Sequence, residues 1–208
     1  MKLYYAPGAC SLSPHIVSRE AGIAVDLKKV NLKDKTIDGG GDFRQLNPKG
    51  YVPALELDNG QVLTEGPAIV QYLADQKPDT GLAPKAGSFE RYKLQEWLSF
   101  ITSEIHKGFS PLFKPNTPDD YKKIVKENLA VRFDLVDKQL AGNDYLTGKS
   151  FSVADAYLFT VLRWSEAVKV DLSRWPNLVA FLGRVAARPK VKEALKAEGL
   201  LKEDARAL

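Results

Sequence analysis

Cysteine is almost missing from this sequence: its 208 residues include one, Cys10, together with one methionine and two histidines. A single thiol excludes an internal disulfide and a cysteine-based metal centre, which leaves a small buried apolar side chain or a reactive thiol. Long apolar runs are missing too. No stretch reaches bilayer-spanning length, and Met1 leads through a strand-like pattern straight into Pro7-Gly8 with no signal-peptide hydrophobic region, so a cytoplasmic location and no membrane partner are expected. Basic runs are short. The 30 Lys and Arg against 26 Asp and Glu, net +4, are dispersed, with nothing longer than Lys28-Lys29 or Lys122-Lys123. That argues against nucleic acid and suits anionic small molecules. The triple glycine Gly39-Gly40-Gly41 lacks the Gly-Lys-Ser/Thr that would follow in a phosphate cradle, and it reads as a flexible loop.

What is present suffices for a core: 44% of the residues are hydrophobic and 10% aromatic. The two halves of the chain differ. Residues 2 to 77 alternate short β-like runs with helical patterns in the order β-α-β-α-β-β-α, from "KLYY" to "EGPAIVQYLADQK". Asp58-Asn59-Gly60 predicts a tight hairpin with positive φ angles, which makes the last two strands antiparallel. The first two strands, joined by a crossover helix, should be parallel. "KPDTGLAPKAGS" is rich in Pro and Gly and marks a linker. Beyond it the pattern is helical. "FERYKLQEWLSFITSEIHKGF" spaces Tyr92, Trp97, Phe100, Ile101 and Ile105 as the face of an amphipathic helix. "FSVADAYLFTVLRWSEAV" is apolar on nearly every side and predicts a buried central helix, opened by a capping box at Ser152-x-x-Asp155 in which the carboxylate serves the helix start.

The lone thiol falls where the first strand turns into the first helix. Free backbone N–H groups and the helix dipole there stabilise an anion, so an acidic thiol is expected at Cys10, with a buried structural cysteine as the alternative. Three other segments converge on that end of the sheet. Val52-Pro53 enters the third strand. The bond there is either cis, freeing the Val52 N–H and C=O to pair with an extended peptide, or an ordinary strand-start proline. Thr64-Glu65-Gly66-Pro67 opens the last helix of this half with a capping residue, an acid and an exposed N–H, either an ordinary cap or a site for the zwitterionic end of an amino acid. Lys35, before the triple glycine, is a solvated lysine or a carboxylate clamp.

"YYAPGACSLSPHI", "NPKGYVPALEL", "LTEGPAIVQYLAD", "EWLSFITSEIHKGFSPLF" and "FSVADAYLF" together resemble the bacterial beta-class cytosolic glutathione transferases along the whole chain. The resemblance implies an α/β thioredoxin-like domain with a mixed sheet over 1–77, a linker over 78–88 and an all-helical domain over 89–208. It also implies a homodimer that uses glutathione as co-substrate, with no metal and no other cofactor. Cys10 would lie near the glutathione sulfur and be able to form a mixed disulfide with it, and His106 would hydrogen-bond toward Cys10. Val52 would pair with the cysteinyl backbone, Glu65 and Gly66 would hold the γ-glutamyl end, and Lys35 the glycyl carboxylate. Ser99, Ser103 and Glu104 occupy helix turns that line the cleft in relatives. Trp164, Phe109 and Phe113 either border the electrophile pocket or are plain core aromatics. His15 has no motif support and reads as structural. The expected reaction is conjugation of the glutathione thiolate to small electrophiles, with thiol-disulfide exchange through Cys10 as a second activity. A glutaredoxin-like reductase and a non-catalytic glutathione-binding protein are the rival readings.

Overall fold

A computed structural model describes residues 1–201; residues 202–208 of the expected second domain lie outside the described residues. The first half follows the order read from the sequence: β1 (Lys2–Tyr5), α1 (Leu12–Glu20), β2 (Asp26–Lys29), α2 (Phe43–Leu46), β3 (Ala54–Glu56), β4 (Val62–Thr64) and α3 (Gly66–Asp75). The strands lie in the order β2-β1-β3-β4. β1 is parallel to β2 and antiparallel to β3, and β3 is antiparallel to β4. Successive strand residues face opposite sides. Leu3 and Leu55 therefore pack on α1 and α3 through Leu12, Ile16, Ile69 and Leu73, while Tyr4 and Ala54 meet Phe43, Val30 and Val52 on the other face.

The hairpin turn differs in detail from expectation. Leu57 N–H reaches the Gln61 carbonyl at 2.8 Å, and in the intervening loop Gly60 takes φ 83° while Asn59 stays out of the positive region. One glycine therefore supplies the left-handed residue of a three-residue loop, and the Asn needs no positive φ.

The second half comprises α4 (Phe89–Phe100), a π-helical segment (Ile101–His106), α5 (Lys107–Phe109), a 3-10 turn (Ser110–Phe113), α6 (Asp119–Leu140), α7 (Val153–Leu162), α8 (Trp164–Ala167), α9 (Pro176–Ala186) and α10 (Pro189–Ala197). Every residue of α7 is buried, as its apolar pattern predicts. Asp155 accepts from the Ser152 backbone N–H (2.8 Å), the Ser152 hydroxyl (2.7 Å) and the Leu146 N–H (2.8 Å), so its carboxylate serves the helix start. Burial outweighs those bonds and pushes its pKa up to about 6.

One residue of the expected amphipathic face departs from it, while Trp97 and Phe100 pack against the core as expected. Leu94, Leu98, Ile101 and Ile105 are buried, but Tyr92 is 59% exposed and Arg91 takes an inward position instead. Arg91 can be buried because its guanidinium pairs with Asp75 and donates to the Pro84 carbonyl at 2.7 Å. The segment before α4 is also seated on the helices: Leu82 is buried and its carbonyl accepts from Val153 N–H at 2.9 Å.

Polar contacts tie the halves together beside Cys10. His15 and Glu198, both buried, pair at 2.8 Å, which makes His15 structural. The other oxygen of Glu198 accepts from Gly8 N–H at 2.9 Å, and the Trp164 indole donates to the Gly8 carbonyl at 2.9 Å. The turn leading into Cys10 is thus held from the helical side.

Candidate active site

A cavity of about 430 Å³ opens between the sheet end and the helices. Its sheet-side wall includes Cys10, Val52, Pro53, Glu65, Gly66 and Lys35; its helical wall includes Thr102, His106, Lys107, Tyr157 and Trp164.

The sheet side is shaped by backbone. The Val52-Pro53 peptide is cis. The Val52 carbonyl is not free as expected, because it accepts the Cys10 thiol at 3.2 Å. Thr64 does not cap α3: it ends β4, and Glu65 holds the cap position at φ 71°, a conformation costly for a side chain with a Cβ and concentrated at ligand clamps. The Glu65 carboxylate pairs with Lys49 Nζ at 2.7 Å, and Lys49 also donates to Thr64 Oγ1 at 3.1 Å. Lys35, at φ 66°, carries its ammonium 5.9 Å from the Tyr51 ring centroid.

Cys10 departs from expectation. Burial pushes its thiol up to about 11, with nearby Glu65 adding to the rise and backbone donors and Lys107 opposing it. The helix-start argument is outweighed by burial: the Cys10 and Ser11 backbone N–H groups do pull the thiol down, but less than its enclosure pushes it up. Cys10 stands just before the helix, as expected, with Ser11 the cap and α1 beginning at Leu12, and its thiol donates to a carbonyl oxygen, an acceptor that favours the neutral form. At neutral pH Cys10 is a thiol.

His106 departs too. It makes no hydrogen bond to Cys10; Nδ1 meets the Tyr157 hydroxyl at 2.6 Å, and the ring lies edge-on to Trp164 with centroids 4.9 Å apart. Burial, then Lys107, pulls its pKa down to about 4, with Glu65 opposing, so the ring is neutral under ordinary conditions. The π-helical segment explains its aim. Lys107 N–H reaches back five residues to the Thr102 carbonyl, and this wider turn sets Thr102 and His106 on the same side, facing the cavity.

The same geometry turns other expected residues away. Ser99, Ser103 and Glu104 are not in the cavity wall: Ser103 donates to the Ser99 carbonyl at 3.1 Å, and Glu104 pairs with Arg132 of α6 at 2.8 Å. Of the three aromatics expected at the electrophile pocket, Trp164 lines the cavity. Phe109 is fully buried against Phe133, and Phe113, half exposed, stands edge-on to Trp164 without lining the cavity. Lys49, Thr102, Lys107 and Tyr157 were missed. Lys49 and Tyr157 stand inside the quoted motifs "NPKGYVPALEL" and "FSVADAYLF", but their side chains could be placed only once the sheet and α7 were built.

A four-stranded mixed sheet with a cis-proline at its end, joined to a helical half across one cavity, defines a two-domain thioredoxin-like protein. Residues 8–76 match the model of the glutathione S-transferase N-terminal domain, and residues 100–189 match that of the C-terminal domain. Glutathione S-transferase GstA of Escherichia coli is 50% identical over 96% of this chain and 100% of its own. A solved sphingomonad glutathione S-transferase complexed with glutathione is 50% identical with TM-score 0.93, covering 97% of this chain and 100% of that one. A bacterial beta-class enzyme from Sphingomonas chungbukensis is 51% identical with TM-score 0.93 over the same shares. The chain belongs to the glutathione S-transferase family.

Proposed function

We propose that this protein binds glutathione in the cavity and joins its thiolate to electrophilic small molecules. The observation that carries this reading is the pairing within one cavity of a peptide-holding wall, formed by Val52, Glu65, Gly66 and Lys35, with an aromatic wall formed by the buried Tyr157 and the partly buried Trp164. The Val52 N–H pairs with the cysteinyl backbone of glutathione. Glu65 takes the ammonium of the γ-glutamyl end, and the N–H groups at the start of α3 take its carboxylate. Lys35 takes the glycyl carboxylate. The family resemblance supports the same roles, and a relative's complex with glutathione supports the ligand.

In the reaction the glutathione thiol loses its proton to solvent. The thiolate then attacks the electrophilic carbon, a C–S bond forms, and the bond to a halide leaving group breaks with the halide carrying away the electron pair. Lys107 and His106 face the developing negative sulfur. Cys10, held as a thiol, is accessory to this step, and thiol-disulfide exchange through it is a secondary activity. Glutathione is a co-substrate, and the chemistry needs no metal or other cofactor. The protein acts as a cytoplasmic homodimer with residues 1–77 as the glutathione-binding domain, 78–88 as the linker and 89–208 as the helical domain. Among the described residues no helix is long and apolar enough to cross a membrane.

The test is calorimetric titration with glutathione together with the rate of conjugation to a chlorinated nitroaromatic. Binding and turnover are expected. A protein that neither binds glutathione nor conjugates it would be a transferase-like binding module, and the reading would be wrong.

A further inference from the structure

We infer that Lys49 is a further binding residue of the peptide-holding wall: with Glu65 it forms a charge pair that reads a zwitterion, Lys49 taking the α-carboxylate of the γ-glutamyl end while Glu65 takes the α-ammonium. The inference rests on the proposed function for the identity of the peptide, and on the geometry of the pair for the role of Lys49.

The pair lies where such an end would sit. Lys49, Thr64, Glu65 and Gly66 share one stretch of the cavity wall. Lys49 Nζ donates to Glu65 Oε1 at 2.7 Å and to Thr64 Oγ1 at 3.1 Å, and among the described residues Glu65 Oε2 has no hydrogen-bond partner. One carboxylate oxygen is therefore left for an incoming ammonium without breaking the Lys49 contact. The base of the lysine is fixed although its tip is exposed. Its backbone N–H donates to Asn47 Oδ1 at 3.2 Å, and Asn47, itself buried, donates through its amide to the Tyr51 carbonyl at 2.8 Å. Lys35, the other cation of this wall, carries its ammonium toward the Tyr51 ring instead.

Backbone alone does not satisfy the α-carboxylate. A carboxylate offers about four acceptor positions. At the start of α3 Pro67 has no N–H, and the Ala68 and Ile69 N–H groups are already given to the Glu65 carbonyl at 3.1 and 3.0 Å. Gly66 has no side chain to add a donor. Lys49 completes the set. Bound glutathione then closes a ring of alternating charges: Glu65 carboxylate, ligand ammonium, ligand carboxylate, Lys49 ammonium. A ligand with the ammonium alone would bring like charge against Lys49, so the pair favours a zwitterion over a plain amine. Both side chains are at least half exposed, so the pair itself contributes little to stability and is available to a ligand.

The experiment compares glutathione with two analogues, one lacking the α-ammonium and one lacking the α-carboxylate. Each is titrated calorimetrically into the wild type and Lys49→Met, weak ligands being read by displacement of glutathione. Lys49→Met keeps most of the stem and removes the charge. It should weaken glutathione and the analogue that keeps the carboxylate roughly threefold to tenfold, and leave the analogue that lacks it unchanged or more tightly bound. In turnover the loss should fall on KM for glutathione with kcat held, and Lys49→Arg should restore most of it. A Lys49→Met protein that weakens all three ligands alike, through a general loss of positive charge, overturns the inference. So does one that binds glutathione as well as the wild type or better. A wild type that binds none of the three ends the proposed function and the inference with it, whereas a wild type that binds glutathione beside a variant that departs from this pattern ends the inference alone.

Discussion

The two walls of the cavity are built by opposite means. On the sheet side the working groups are exposed and local: the side chains of Glu65 and Lys49 are 64% and 50% exposed, and Glu65 is set by its own positive φ. On the helical side Tyr157 sits on a buried helix, and His106 is aimed by a π-helical turn and held by Tyr157 and Trp164, residues distant from it in sequence. The difference teaches a division of labour. Exposed charges on rigid backbone suit recognition of a charged peptide whose solvation must be exchanged, whereas a desolvated aromatic wall suits control of one sulfur, where a single hydrogen bond counts for more.

That division can be broken by substitution. Glu65→Gln should act on the recognition side, raising KM for glutathione roughly tenfold to a hundredfold with kcat little changed, as steady-state kinetics would show; a fall in kcat instead would erase the contrast between the walls. Asp155→Ala removes a buried acceptor and strands the Leu146 and Ser152 N–H groups. About 3 kcal/mol of stability should be lost, seen as a fall of roughly 6–12 °C in Tm by scanning calorimetry. An unchanged Tm would mean that α7 does not depend on this carboxylate. Trp164→Phe gives up the indole bond to Gly8 and should cost about 1 kcal/mol in urea unfolding, with a modest loss of conjugation rate.

The smallest effect is on pH dependence. His106 has a folded-state pKa of about 4, below its ordinary value, so between the two the unfolded chain binds the extra proton. The stability it contributes is present above the ordinary histidine value and is lost as pH falls toward about 4. Urea midpoints across that window should therefore drop less steeply for His106→Asn than for the wild type.

The sheet half was legible because its signals are local. Gly60 marks the hairpin and the crossover at α1 fixes the parallel pair, while Pro53 left cis and an ordinary strand start both open. Glu65, Val52 and Lys35 stood out in short motifs, each beside a bland alternative, and their roles came from the family resemblance. The helical half resisted where non-local contacts overrode periodicity. Arg91 went inward because Asp75 and the Pro84 carbonyl were waiting for it, and Tyr92 stayed out. Nothing in "SFITSEIHKG" announces a π turn, yet that turn separates His106 from Ser103 and Glu104. The position of Cys10 just before α1 was legible, but the acidity expected there failed because burial, which no local motif announces, outweighs the N–H groups, and Val52 supplies an acceptor.

The central claim is that the bound glutathione thiolate, and not Cys10, is the nucleophile. Its most direct test is the rate of glutathione conjugation to a chlorinated nitroaromatic at neutral pH, measured side by side for the wild type and Cys10→Ala. The account predicts that the variant keeps a rate within roughly tenfold of the wild type. A variant rate no greater than the uncatalysed background would contradict it and make Cys10 the essential sulfur.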